Sequence, residues 1–231
     1  MGSKTLILGI GNILWADEGF GVRAVEQLNQ AYQFEGDVTL MDGGTQGIYL
    51  VHHVEQADIL VVFDAIDFAL EPGTLKLIEG ENVPNYMGAK KMSLHQTGFQ
   101  EVLAMAEMLG RYPKHLLLVG VQPVQLEDYG GSLRDKTRQQ LTPAIQAALD
   151  WLEQLDIHAI KRETPLAPEQ SIAGSEVNIS TYEDHRPTED QACRVGDERV
   201  LKSKDFHVEY KPYPLDSEAA ISCDVDHRGK Y

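Results

Sequence analysis

The chain has 231 residues, 42% of them hydrophobic, with a formal net charge of −16 and a pI near 4.8. That length holds one α/β domain with a substantial core and leaves room for a tail. So acidic a surface repels a phosphate backbone, which argues against nucleic acid but not against a cation or a basic peptide, and no apolar run nears the ~20 residues of a membrane-spanning helix, so direct membrane insertion is not expected.

The opening Met1-Gly2-Ser3-Lys4 is not followed by a signal-peptide pattern, and Leu6 fails the myristoylation pattern. The two cysteines, Cys193 and Cys223, make neither a disulfide scaffold nor a zinc ribbon. The expected setting is the reducing cytoplasm, and Asn178-Ile179-Ser180 then reads as a chance glycosylation triplet.

Taken in chain order, 5–10 is a short apolar run ended by glycines, as suits a strand buried on both faces. Phe20, Val22, Val25 and Leu28 mark one face of a helix. Residues 38–41 predict a second strand, 48–54 a short helical stretch, and 58–63 a third and very apolar strand. Residues 74–78 alternate after Pro72-Gly73 and predict a more exposed strand. Phe99, Val102, Leu103, Ala106 and Leu109 predict another helix, and 116–121 another buried strand. A long helix is expected from about Ser132, as N-cap, through Leu152, and a last strand at 157–160.

Strands alternating with amphipathic helices predict a three-layer α/β/α domain with a mainly parallel, twisted sheet over residues 1–162. Residues 163–231 differ. Acidic residues outnumber basic ones there, and Pro165, Pro168, Pro187, Pro212 and Pro214 break long helices. This irregular extension reads as a mobile or loosely docked tail, with a partner-specific segment as the functional alternative and a short strand at 206–210.

Gly9-Ile10-Gly11-Asn12-Ile13-Leu14 sits between strand and helix, where a dinucleotide fingerprint would. Its third glycine position is Leu14, however, and Asp17 and Glu18 follow, which would repel a pyrophosphate. No nucleotide cofactor is expected. More informative is the placing of acids. Asp17 and Glu18 follow the first strand, Asp42 ends the second, and Asp64 ends the third with Asp67 close behind. In a parallel sheet these carboxyl ends share one edge, where open α/β proteins bind ligands. Each acid has a structural alternative: Asp17 or Glu18 as a helix cap, Asp42 on turn amides beside Gly43, Asp67 as a solvated or capping group.

Clustered carboxylates need a cation or shared protons, and a nearby histidine would make a mixed N/O site for nickel or zinc. His95, in a polar stretch before a helix, is the strongest candidate. No His-Glu-x-x-His, Gly-x-Ser-x-Gly or catalytic-cysteine pattern occurs in the domain.

These residues carry a resemblance. Gly9 to Leu14 with Asp17-Glu18-Gly19 and Gly21-Val22-Arg23 is similar to the opening motif of the hydrogenase maturation proteases. Asp42-Gly43-Gly44-Thr45, Asp64-Ala65-Ile66, Pro72-Gly73-Thr74, Ser93-Leu94-His95-Gln96 and Val119-Gly120-Val121-Gln122-Pro123 match later family blocks in order, over residues 4–160. The stretches 14–21, 90–93 and 128–133 resemble the branch serving membrane-bound uptake hydrogenases. The resemblance implies an endopeptidase, aspartic-type or metal-assisted, that removes a C-terminal peptide from the nickel-loaded large-subunit precursor. It places the metal contacts on Glu18, Asp64 and His95, which are also the catalytic candidates. The nickel is expected to arrive with the substrate, and Asp42, with Gly43 and Gly44, to shape the cleft wall and touch the substrate peptide. The alternatives are a hydrolase with a permanent metal of its own and a non-catalytic metallochaperone or assembly factor. Oligomeric state is not readable from the sequence.

Overall fold

Alternation along three buried strands organises the domain. In β1 (Thr5–Ile10), Leu6, Leu8 and Ile10 join one core while Ile7 joins another. β4 (Ile59–Ala65) divides in the same way, with Leu60 and Val62 to one side and Ile59, Val61 and Phe63 to the other. In β6 (His115–Val121), Leu116 and Leu118 oppose Leu117, Val119 and Val121. Side chains of period two on strands apolar throughout require cover on both faces, and that produces three layers.

The computed structural model describes residues 2–84, 94–167 and 170–186, with the side chains of 94–97 outside the description. They fall within one unit, Met1–Asp190. The sheet runs β3 (Val38–Gly44), β1, β4, β6, β5 (Leu75–Glu79), parallel except for the antiparallel edge pair β5–β6. One face is covered by α1 (Phe20–Ala31) and α5 (Leu141–Glu153), the other by α2 (Val51–Val54) and α3 (Leu94–Met108). The α/β/α expectation therefore holds, and β5 is the half-exposed edge strand that its alternation predicts.

Two expectations need correction. No helix starts at Ser132. Arg134 is extended, α4 (Asp135–Arg138) is a single turn, and α5 starts afresh at Leu141. Pro143 gives the reason: in one continuous helix its missing N–H and its ring would disrupt the middle, whereas in the first turn of α5 no partner is needed. The last strand, β7 (Ala159–Lys161), does form, but it pairs antiparallel with β2 (Tyr32–Phe34) in a separate ribbon.

The packed chain also runs past residue 162. Within 163–186 lie α6 (Gly174–Val177) and α7 (Ile179–His185), and Ile172 and Ile179 pack against the α1–α5 side of the core. Asn178 is buried and caps α7 by accepting from the Thr181 amide. The stretch 187–231, with both cysteines and the expected strand at 206–210, lies outside the described residues, as does 85–93.

Helix α1 crosses the sheet at very close range. A Cβ on Gly21 would sit 2.1 Å from the Phe63 carbonyl oxygen and 2.3 Å from that of Ile10. Both obstacles are strand backbone, so neither can yield cheaply. Gly21→Ala is expected to lower unfolding free energy by ~3 kcal/mol in urea titration, the upper end for overpacking. A loss below ~1 kcal/mol would show that α1 can lift off without consequence.

Candidate active site

Four loops converge at the carboxyl-terminal edge of the parallel strands. The first follows β1. Gly11 has φ 135°, and a Cβ there would lie 1.8 Å from the Glu18 carbonyl oxygen, so the chain doubles back on itself in a way only glycine permits. Asn12 accepts from the Leu14 amide, and a 3₁₀ turn, Ala16–Gly19, then presents Asp17 and Glu18. That turn packs on β4, the strand whose end carries Asp64.

The neighbouring acids Asp17 and Glu18 have different surroundings. Asp17 is 0% exposed. Its Oδ2 accepts from the amides of Val124 at 2.8 Å and Gln125 at 3.0 Å, and its Oδ1 from that of Arg134 at 2.7 Å. Its own amide donates to the Gln125 carbonyl. Asp17 is thus a lock between the loops after β1 and β6 rather than a helix cap. It also fixes Ala16, which sits at φ 41°, a conformation that a non-glycine residue keeps only when its surroundings determine it. Glu18 is only partly buried and is the acid of the pair that solvent reaches.

Asp64 is 0% exposed, and its Oδ1 accepts from the Ala65 amide. It shares the face of Leu60 and Val62, the one covered by α3, and His95 is the second residue of α3. The fold therefore places the Glu18 turn, the end of β4 and the start of α3 around one edge. The His95 side chain is outside the described residues, as are 90–93 of the branch motif. Among the described residues no three His, Cys, Asp or Glu side chains form a group able to hold a metal.

Asp42 stands apart from Asp64. On edge strand β3 it has the parity of Leu40, which packs on the α1 side. Its Oδ1 accepts from the Gly44 amide, as the turn reading anticipates. Burial pushes its carboxyl above the usual range, against the Gly44 hydrogen bond and the Arg23 charge, with Glu26 adding to the rise. Asp67 is a loop organiser: its Oδ1 accepts from the Ala69 amide and the Gln122 side chain, while Gln122 Oε1 accepts from the Phe68 and Leu70 amides.

Sequence reasoning missed two features. Exposed apolar residues rim this edge: Leu14, Trp15, Ile48, Tyr49, Leu70 and Tyr129, with Tyr49 80% exposed. Trp15 and Tyr129 meet edge to face at 5.4 Å and bridge their two loops. The other is an ion pair inside α1, Arg23 with Glu26 at 2.7 Å, each side chain 3% exposed. Their spacing on an apolar helix face is the only sequence signal for it.

Comparison with known proteins identifies the family. The sequence profile described as HycI, hydrogenase maturation protease, matches residues 22–151. The chain belongs to the hydrogenase maturation protease family. It is 58% identical over 200 residues to "Hydrogenase expression/formation protein HupD" of Thiocapsa roseopersicina, covering 87% of this chain and 90% of that protein. To the "Hydrogenase 2 maturation protease" of Escherichia coli it is 39% identical over 161 residues, 69% of this chain and 97% of that one. Among solved structures, the hydrogenase maturating endopeptidase HybD from E. coli superposes with a TM-score of 0.66 at 38% identity, over 69% of this chain and 98% of that one. As a member of this protease family, the chain is a maturation endopeptidase.

Two outcomes test these placements. Asp17→Ala leaves three amides without their acceptor and is expected to cost at least ~3 kcal/mol in urea unfolding, at ~1–3 kcal/mol per unmet group; a near-neutral result would remove the lock. For Asp42, a raised folded-state pKa means its stabilising contribution is present in acid and is lost as pH rises through that value. Asp42→Asn should therefore match or exceed the wild-type thermal midpoint at pH 7 and flatten its decline between acid and neutral pH. A lower midpoint at pH 7 would show that the ionised form is the stabilising one.

Proposed function

We propose that this endopeptidase removes a C-terminal peptide from the nickel-loaded precursor of a hydrogenase large subunit, and that the substrate's own nickel is what it recognises. The observation that carries the reading is the convergence of the Glu18 turn, Asp64 and the start of α3 at one sheet edge, inside a rim of exposed apolar side chains. Glu18, Asp64 and His95 would fill open positions on the arriving metal. An acidic edge suits a cation, and an aromatic rim suits the peptide around it.

In this reading nickel belongs to the substrate, and the protein's task is placement. The rim and the half-exposed Glu18 hold the C-terminal segment extended across the sheet edge, and Asp42 touches it from the β3 side. Hydrolysis adds water across the scissile amide: the C–N bond breaks, hydroxyl joins the carbonyl carbon, and a proton joins the departing nitrogen. A precursor without nickel would not be seated, so the orientation gain, worth orders of magnitude in rate, would be absent. The reaction would proceed in the cytoplasm, in keeping with only two cysteines in the chain.

The test is to mix the purified protein with nickel-loaded and nickel-free precursors and weigh the products. Loss of a C-terminal peptide from the loaded form alone is expected. Equal cleavage of both forms would reject nickel as the signal, and cleavage of neither would reject the substrate. Glu18→Gln, Asp64→Asn and His95→Ala should each slow processing ~100-fold or more with the fold intact by circular dichroism. Near-normal rates in any one would strike that residue from the site.

A further inference from the structure

We propose that the C-terminal helix α7 is a positioning element for Glu18, acting through the loop after β6 and the Asp17 lock. The proposal rests on the reading of Glu18 given above. The path can be followed atom by atom. Glu183 on α7 pairs with the Arg138 guanidinium and accepts from the Ser132 hydroxyl. Tyr182 donates its hydroxyl to the Gly131 carbonyl at 3.0 Å. Both contacts grip 131–138, an extended segment followed by the single helical turn α4. Arg134 in that stretch donates its amide to Asp17 Oδ1 and its guanidinium to the buried Asp128. Asp17 is bonded directly to Glu18, and the two loops join again through Trp15 and Tyr129 and through the Gly130 amide on the Leu14 carbonyl.

α7 is itself firmly anchored. Glu26 on α1 accepts from the Ile179 amide, and Arg23 donates to the Val177 carbonyl and stacks over the Tyr182 ring at 5.5 Å. Burial would raise the Glu183 carboxyl, but hydrogen bonds from Arg138 and Ser132 prevail and hold it below the usual range. It is therefore ionised wherever the enzyme works at neutral pH. A charged pair and a phenol hydrogen bond thus bear on a loop whose amides set the catalytic turn.

The relatives sharpen the point. An alignment of 200 residues cannot fit inside 1–162, so the Thiocapsa protein shares part of the extension. The E. coli protease is 97% used up by 161 aligned residues, too short to match both the domain and 170–186.

Three full-length variants test the proposal against the nickel-loaded precursor: Tyr182→Phe, Glu183→Gln, and the exchange Arg138→Glu with Glu183→Arg. Glu183→Gln is expected to lower kcat about tenfold with KM within about twofold, since a misplaced catalytic turn costs rate more than binding. Tyr182→Phe should lower kcat in the same sense, and the charge exchange should bring kcat back to within about threefold of wild type. Amide hydrogen exchange supplies the second readout. In Glu183→Gln the amides of Asp17, Val124, Gln125 and Arg134 should lose protection about tenfold while those of β1 and β4 do not change. Wild-type kcat with wild-type protection overturns the proposal. So does a kcat loss that the exchanged pair fails to recover, or one that comes with uniform loss of protection, because either makes α7 a general stabiliser. If the wild-type chain does not process the precursor, the reading of the active site has failed instead, and selective loss of protection still decides whether α7 controls the Glu18 turn.

Discussion

A carboxylate taken entirely out of water and given three backbone amides holds the carboxyl-terminal edge of the sheet together. Asp17 accepts from Val124, Gln125 and Arg134, residues more than a hundred positions away in sequence. A buried charge is tolerated only with such compensation, and the amides would be as costly to leave unmet. The two sides are therefore bound to each other. The loop after β1 cannot move without exposing the amides, and the loop after β6 cannot move without stranding the acid. Glu18 and the Trp15–Tyr129 contact gain fixed positions from an interaction in which neither takes part.

The sheet explains why such a lock is needed. Parallel strands deliver their loops to one edge, and strand backbone alone does not hold these loops there. The close passage of Gly21 over Phe63 and Ile10 presses α1 against the sheet, and Gly11 lets the chain turn back beneath Glu18. Rigid strands end in loops that are then fastened to each other, through Asp17 on one side and through Asp67 and Gln122 on the other. An edge assembled in this way fixes the Glu18 turn through the protein's own contacts.

Two neighbouring acids with opposite fates show how far charge alone misleads. Asp17 and Glu18 both suit a helix start, yet one is sealed in and the other reaches solvent. Asp42 and Asp64 both end parallel strands, but their parities differ, so one looks toward α1 and the other toward α3. Convergence at an edge is a property of the strands, whereas the face a side chain takes is set by register, and β3 meets β1 with an irregularity just there.

The sequence by itself determined the layers, because apolar periodicity is local and strands 5–10, 59–65 and 115–121 carry it without interruption. It also determined which acids reach the edge, since the ends of parallel strands are fixed once the strands are. Its ordered motif blocks pointed to the family in which the comparisons place the chain. It misjudged the start of the helix before Leu152, where Pro143 permits a short first piece and a fresh start. Only the tertiary structure decided that Asp17 is a lock, that Asp42 and Asp64 lie on opposite faces, and that Arg23, Glu26, Tyr182 and Glu183 join α1, the 131–138 loop and the extension. Those pairings span from about fifty to more than a hundred and fifty residues. No local pattern records them, because a hydrogen bond between distant segments depends on where the folded chain brings them, and that is settled only when the whole core has packed.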